Sequence, residues 1–161
     1  MTLTGGCFCG AVRYQATGPV RFRGQCLCRT CQTISGGAGN LFMVVDADGF
    51  SFTQGHPKTF NRAETAASPT RSFCGRCGVH LTARSARAEA VVLIKVGTLD
   101  DPSVFEAPEV VVWTAHKHPF HLLPPGVPAY ADGVVRLMKR PAPGRDWTAK
   151  HQQEPARHTA L

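Results

Sequence analysis

The chain has 161 residues, 43% of them hydrophobic, so it can bury the core of one domain but is short for two. No stretch approaches the roughly 20 apolar residues that span a bilayer, and residues 1–6 lack the basic start of a secretory signal. We therefore expect a cytoplasmic protein without membrane contact, whose thiols stay reduced.

The formal net charge of +7 raises the question of a nucleic-acid partner. The basic residues are scattered along the chain rather than massed in one stripe. If the seven cysteines held two zinc ions as thiolates, the net charge would fall to +4. A moderately basic surface suits a small anionic substrate at least as well, so a nucleic-acid role is not the favoured interpretation.

Apolar and turn residues, taken in chain order, predict a mainly β fold. Alternation predicts a strand over residues 10–16, and residues 28–34 are predicted to form one short helical turn with Thr30 as N-cap. Further strands are predicted at residues 40–45, 50–53, 90–96, 110–115 and 134–138, with a hairpin over residues 71–83. No window has a sustained helical period of apolar residues.

The composition changes near residue 140, where Pro, Gly, Arg, Gln and His become frequent. We therefore predict one zinc-binding β domain over residues 3–138 and a basic, Pro-rich tail over residues 139–161. Such a composition buries little apolar surface, so the tail is expected to be disordered or extended. Residues 61–70 are predicted to form a surface loop within the domain.

The seven cysteines form three groups, and two of these groups are pairs. The groups are Cys7 and Cys9; Cys26, Cys28 and Cys31; and Cys74 and Cys77. Cys7 and Cys9 would share one face of a strand, and glycines after each member of the third group ease a zinc-knuckle turn. The two pairs together supply the four thiolates of a closed structural zinc site.

That partition leaves Cys26, Cys28 and Cys31, three thiolates within six residues and without a fourth cysteine. Three protein ligands plus one exchangeable position are typical of a catalytic zinc. The sequence thus predicts one closed and one open zinc site.

Another partition is a two-knuckle ribbon in which Cys28 and Cys31 join Cys74 and Cys77. The 42 intervening residues, 32–73, exceed the usual spacing of such a ribbon. Disulfides are disfavoured by the odd number of cysteines and by a reducing compartment. The ribbon stays an alternative at this point.

Histidines are a weaker signal than the cysteines. His116, His118 and His121 lie in a segment that could form a loop beside a pocket, where they could contact substrate or simply form polar surface. His80 follows the knuckle and could be a ligand or simply an exposed or core side chain.

Four motifs carry a resemblance to a known family. They are residues 5–14 (GGCFCGAVRY), 26–31 (CLCRTC), 73–78 (FCGRCG) and 96–102 (VGTLDDP). In this order they resemble the glutathione-dependent formaldehyde-activating enzyme family, also called the centromere protein V/Gfa domain family. The resemblance implies a single-domain β-tent fold stapled by one structural and one catalytic zinc ion.

By position, the resemblance assigns Cys7, Cys9, Cys74 and Cys77 to the structural ion, and Cys26, Cys28 and Cys31 to the catalytic one. It implies carbon–sulfur lyase chemistry, in which the open zinc binds the sulfur of glutathione and the thiolate adds to formaldehyde. Glutathione is then the co-substrate. Arg29 and Arg23 are candidate partners for its carboxylates, although either could be a solvated surface side chain.

Leu27, Gln32 and Gly75 depart from the family pattern, and the departures concern the identity of the substrate rather than metal binding. Two other functions stay open. One is a thiol-dependent enzyme acting on another small molecule, and the other is a non-enzymatic zinc module that binds nucleic acid or protein. Exposed sheet edges would permit a homodimer.

Overall fold

The structure is a computed structural model that describes residues 1–62 and 68–133. The mainly β prediction is confirmed. The strands are β1 (Thr2–Gly6), β2 (Arg13–Thr17), β3 (Val20–Cys26), β4 (Asn40–Asp46), β5 (Phe50–Gln54), β6 (Lys58–Phe60), β7 (Thr70–Phe73), β8 (His80–Ser85), β9 (Ala88–Lys95) and β10 (Val110–Val112). One helix, α1 (Arg29–Ile34), and three 3-10 turns (Val96–Thr98, Pro102–Phe105 and Thr114–His116) complete the elements of these residues.

The strands form two sheets. A small sheet has the order β1-β2-β5, and a large sheet has the order β10-β3-β4-β9-β8-β7-β6. Neighbouring strands are antiparallel except β10, which runs parallel to β3. The small sheet is joined to the chain after β9 by a bridge between Gly5 and Leu99.

The core lies on both faces of the large sheet. Met43 and Val45 of β4 belong to one buried cluster, which also contains Leu3 and Tyr14 of the small sheet. Phe42 and Val44, which alternate with them, belong to a second cluster on the other face. Because both faces of β4 are covered, this strand is a continuous apolar run rather than an alternating one.

Tyr14 connects the small sheet to the turn that follows β9. Its side chain is 1% exposed, and its hydroxyl lies 2.9 Å from Oγ1 of Thr98, which itself donates to the carbonyl of Lys95. Burial raises the pKa of Tyr14 to about 12. A Cβ atom at position 5 would overlap the Tyr14 hydroxyl, so this close approach requires Gly5.

The structure corrects several sequence-based predictions. Thr30 is not the N-cap of α1; the cap is Cys28, whose Sγ accepts from the backbone N–H of Cys31 at 3.4 Å. Cys7 and Cys9 occupy a turn after β1 rather than a strand. The strand predicted over 110–115 ends at Val112, because Trp113 adopts the left-handed conformation with φ of 62°.

The hairpin predicted over 71–83 is present as the antiparallel pair β7–β8. Strands β1, β3 and β6 were not predicted. The predicted strand at 134–138, the domain limit at 138 and the tail at 139–161 lie outside the described residues, as does part of the predicted loop at 61–70.

Candidate metal centres

Four cysteines form a closed cluster, as predicted. The Sγ atoms of Cys7, Cys9, Cys74 and Cys77 all lie within 4.8 Å of one another. Two of the distances are 3.6 Å, between Cys7 and Cys9, and 3.8 Å, between Cys9 and Cys74. Sulfur atoms placed tetrahedrally about 2.3 Å from one ion would be about 3.8 Å apart. The cluster therefore fits a metal ion of the size and geometry of zinc.

Two similar turns position these thiols. In each turn a glycine with positive φ, Gly10 at 73° or Gly78 at 74°, donates its N–H to the carbonyl of the first cysteine. Backbone N–H groups also point at sulfur, from Val12 to Cys7 Sγ at 3.3 Å and from Arg76 to Cys74 Sγ at 3.4 Å. Such donors stabilise thiolates, the form that binds metal.

The other three cysteines form an open cluster beside α1. Cys26 ends β3, Cys28 caps α1 and Cys31 lies within α1, and their Sγ atoms are all within 4.8 Å of one another. Among residues 1–62 and 68–133, no His, Cys, Asp or Glu completes this group as a fourth member. The two-knuckle ribbon is not formed, since Cys28 and Cys31 do not group with Cys74 and Cys77.

The open cluster favours one thiolate even without a metal. Hydrogen bonds from the thiols of Cys26 and Cys31 lower the pKa of Cys28 far below its usual value. Hydrogen bonds with Cys28 and Cys31, followed by burial, raise the pKa of Cys26. Positive charge lies close by, because the charge of Lys95 acts on Cys31.

Lys95 is held in place by Asn40, whose Oδ1 accepts from the lysine Nζ at 2.6 Å. Burial lowers the pKa of Lys95, and the thiols of the open cluster oppose that effect. A cation held beside three thiolates offsets part of their mutual repulsion.

Gln32 fixes the position of the open cluster. Its side chain is 1% exposed, and its Nε2 donates to the carbonyls of Leu27 at 2.6 Å and of His116 at 2.7 Å. Its Oε1 accepts from Arg29. One amide thus connects α1, the loop between Cys26 and Cys28, and the turn after β10. The sequence singled out Gln32 only as a departure from the family pattern.

The two candidate substrate arginines lie in different surroundings. Arg29 begins α1, contacts Nε2 of His118 at 3.3 Å, and lines a cleft beside the helix. Arg23 pairs with Glu109 at 3.6 Å and has a buried Nε without a hydrogen-bond partner among the described residues. Arg23 does not line the cleft.

The histidines are not members of either thiol cluster within the described ranges. His121 is buried; its Nδ1 accepts from the backbone N–H of His118 at 2.9 Å, and its Nε2 lies 2.7 Å from the carbonyl of Gly37. These contacts hold the segment that carries His118 against Arg29.

In the described part of the chain, every helix is too short or too polar to cross a membrane.

Two sheets connected at a four-thiolate cluster, with a three-thiolate cluster on the larger sheet, define a β protein with two candidate metal sites. The family model described as "Glutathione-dependent formaldehyde-activating enzyme" matches residues 2–116, and the chain belongs to this family. The resemblance carried by the four motifs is thereby confirmed. The family description points to activation of formaldehyde that depends on glutathione.

A solved structure supports the fold. The crystal structure of a Rhodobacter sphaeroides protein, a structural genomics target, matches with a TM-score of 0.50 and 16% sequence identity. The match covers 65% of this chain and 96% of that chain. At this identity the similarity concerns the fold alone.

Proposed function

We propose that the chain is a zinc-dependent carbon–sulfur lyase that joins a thiol such as glutathione to formaldehyde or a related aldehyde, or releases it again. The observation that carries this proposal is the open cluster of Cys26, Cys28 and Cys31, which offers three thiolates and leaves one tetrahedral position for a substrate. Family membership supports the same chemistry. The closed cluster takes the structural role.

Each group has a defined task in this proposal. The three thiolates of the open cluster hold the ion, and zinc, when bound, supplies a Lewis acid that favours the thiolate form of a substrate thiol. Lys95 lies close enough to act on the charge of the cluster. Arg29 is the favoured partner for a substrate carboxylate because it lines the adjacent cleft, whereas Arg23 is engaged by Glu109.

The reaction balances without a further reactant. A carbon–sulfur bond forms between the thiol sulfur and the aldehyde carbon while the carbonyl π bond breaks. The thiol proton ends on the aldehyde oxygen, which gives a hydroxymethyl thioether; the reverse reaction releases both reactants.

We propose that residues 3–138 form the active domain, that residues 139–161 stay outside the chemistry, and that the protein acts in the cytoplasm, where thiols are reduced.

The experiment is exchange NMR of formaldehyde and glutathione with the full-length, zinc-loaded protein. We expect the wild type to raise the exchange rate above the spontaneous rate, and Cys28→Ser to return it to that rate. Arg84→Gln, a change on the exposed part of β8, is the control and should behave as wild type. Metal content and circular dichroism establish that Cys28→Ser is folded with its closed site filled. Wild-type exchange no faster than the spontaneous rate, or undiminished acceleration in folded Cys28→Ser, would refute the named activity.

A further inference from the structure

A cleft of about 580 Å³ opens on one side of α1, next to the open cluster but not lined by its sulfur atoms. We call it the cationic cleft and define it by six of its lining residues: Arg29, Phe60, Arg62, Arg71, Phe73 and His80. A volume of this order suits a small organic ligand. Of these residues, the sequence singled out Arg29 as a candidate partner for a substrate carboxylate and left His80 open as a ligand or a structural side chain.

Two walls of different origin form the cationic cleft. Helix α1 contributes Arg29 and Thr33, which are four residues apart and therefore share a face. The opposite wall is the edge of the large sheet, where Phe60 of β6 stands directly across from Arg71 of β7. Cross-strand partners project from the same face, so an aromatic ring and a guanidinium lie side by side.

The described lining of the cationic cleft is rich in positively charged side chains. Three of its lining residues are arginines, and none of those found among the described residues is acidic. Arg71 is only 7% exposed, and its Nη1 donates to the carbonyl of Pro69 at 3.1 Å, which fixes the guanidinium. Burial, followed by the charges of Lys95 and Arg71, lowers the pKa of His80, in keeping with a positive potential here.

The cationic cleft also exposes aromatic surface. The side chain of Phe60 is 53% exposed at the sheet edge. Phe73 stacks on His80, with ring centroids 5.7 Å apart. A ligand that covered these rings would remove apolar area from water while its charge met the guanidinium groups.

From these features we propose that the cationic cleft binds a small organic carboxylate with an apolar or aromatic body, through contacts that do not include the thiolates. Arg71 receives the carboxylate, and Phe60 covers the apolar body. The use of this site in the lyase reaction rests on the proposed function, but the binding does not. If both hold, the enzyme's substrate carries such a body in addition to its sulfur.

The test is calorimetric titration of the full-length, metal-loaded protein with phenylacetate, which has a ring and a carboxylate but no thiol. Phenylacetamide, without the charge, and acetate, without the ring, should each bind at least about tenfold more weakly, because each removes one of the two interactions. The expected result is saturable binding of phenylacetate, with weaker binding of both phenylacetamide and acetate. Equal binding of the acid and its amide, or no saturable binding, overturns the proposal.

Variants locate the binding in the cationic cleft. Arg71→Gln should weaken phenylacetate binding about tenfold, and Phe60→Ser about threefold. Phe60 is exposed, so Phe60→Ser should keep the fold even where loss of the buried Arg71 disturbs it. Arg84→Gln and Tyr130→Ser, changes outside the cleft, are the matched controls and should leave the affinity unchanged.

A separate variant keeps this proposal distinct from the lyase function. Cys28→Ser should abolish the exchange of formaldehyde with glutathione but leave phenylacetate affinity within about twofold of wild type. Loss of phenylacetate binding in a folded Cys28→Ser protein would show that the thiolate site itself binds the probe, which contradicts the proposal. Absence of lyase activity together with intact phenylacetate binding would refute only the proposed function.

Discussion

The buried hydroxyl of Tyr14 makes the stability of the fold depend on pH. Its phenol is buried and lies within hydrogen-bond distance of Thr98, so ionisation would place a charge in an apolar environment. The folded-state pKa of about 12 is above the ordinary value of 10.0. Below pH 10 both folded and unfolded chains keep the proton. Between pH 10 and 12 only the unfolded chain loses it, so stability falls as pH rises.

Tyr14→Phe is expected to lower the free energy of unfolding by about 1 kcal/mol at pH 7, because the hydrogen bond to Thr98 is lost. It should also remove the loss of unfolding free energy that ionisation of Tyr14 causes at alkaline pH. In the wild type this loss amounts to about 2 to 3 kcal/mol by pH 12. Urea unfolding at pH 7, 9 and 11 measures both effects.

Tyr130→Phe is the matched control, because Tyr130 is the other tyrosine of the chain and is 42% exposed. Its removal should leave the pH dependence of unfolding unchanged. In absorbance titration at alkaline pH, the late-ionising phenol should disappear in Tyr14→Phe and persist in Tyr130→Phe. If wild type and Tyr14→Phe lose stability in parallel above pH 10, the assignment to Tyr14 is wrong.

At the scale of elements, α1 depends on its surroundings. A helix of six residues is too short to be stable alone. Its position comes from the Cys28 cap, from the N–H of Leu27 donating to the carbonyl of Val112 at 2.9 Å, and from the bonds of Gln32. The spacing of the open cluster is therefore set by tertiary contacts as well as by sequence spacing.

Gln32→Met is expected to weaken metal binding at the open cluster while leaving the closed cluster unaffected. Methionine has a similar volume, but it leaves the carbonyls of Leu27 and His116 without their donor, at a cost of about 1 to 3 kcal/mol. Competition with a chromophoric chelator measures both metal affinities. Gln15→Met, at an exposed site on β2, is the control. Equal metal affinities in Gln32→Met and wild type would show that Gln32 does not position the cluster.

The sequence predicted the strands and turns that have strong local signals. It missed those that depend on tertiary contacts. Strand β1 ends in two glycines, and Gly5 is needed because the Tyr14 side chain and the carbonyl of Thr98 both pack against it. Strand β6 is an exposed edge of three residues without a buried face. The partition of the thiols was predictable because it follows from counting ligands. The cationic cleft was not, because Phe60 and Arg71 come from strands whose register only the fold defines.

At the scale of the whole molecule, the closed cluster joins the two sheets. Cys7 and Cys9 follow β1 of the small sheet, whereas Cys74 and Cys77 lie between β7 and β8 of the large sheet. The small sheet is also linked to the segment after β9 by the Tyr14–Thr98 hydrogen bond, the ion pair of Arg13 with Asp100 and the Gly5–Leu99 bridge. The two sheets also share one buried apolar cluster, which includes Leu3 of the small sheet and Met43 of the large one. An exposed ion pair contributes little by comparison, and a metal ion bound by the four thiols would add a strong connection.

Cys77→Ser should therefore cost several kcal/mol of unfolding free energy, whereas Cys28→Ser should change it much less. The measurement is urea unfolding of both variants and the wild type at equal metal loading. Metal analysis after a mild chelator should show that the wild type loses one ion and keeps its circular dichroism. Two ions that are equally inert would contradict the open site, and equal stability of the two variants would contradict the division of roles.

The distribution of the seven thiols along the chain also bears on biosynthesis. All ligands of the open cluster lie within residues 26–31, whereas those of the closed cluster span residues 7–77. A growing chain has therefore made the complete open cluster long before the last thiol of the closed one exists. Closing the larger loop also costs more chain entropy. The order in which the two clusters become able to bind metal on the ribosome is thus set by position in the polypeptide, and the cluster that joins the two sheets is the later one.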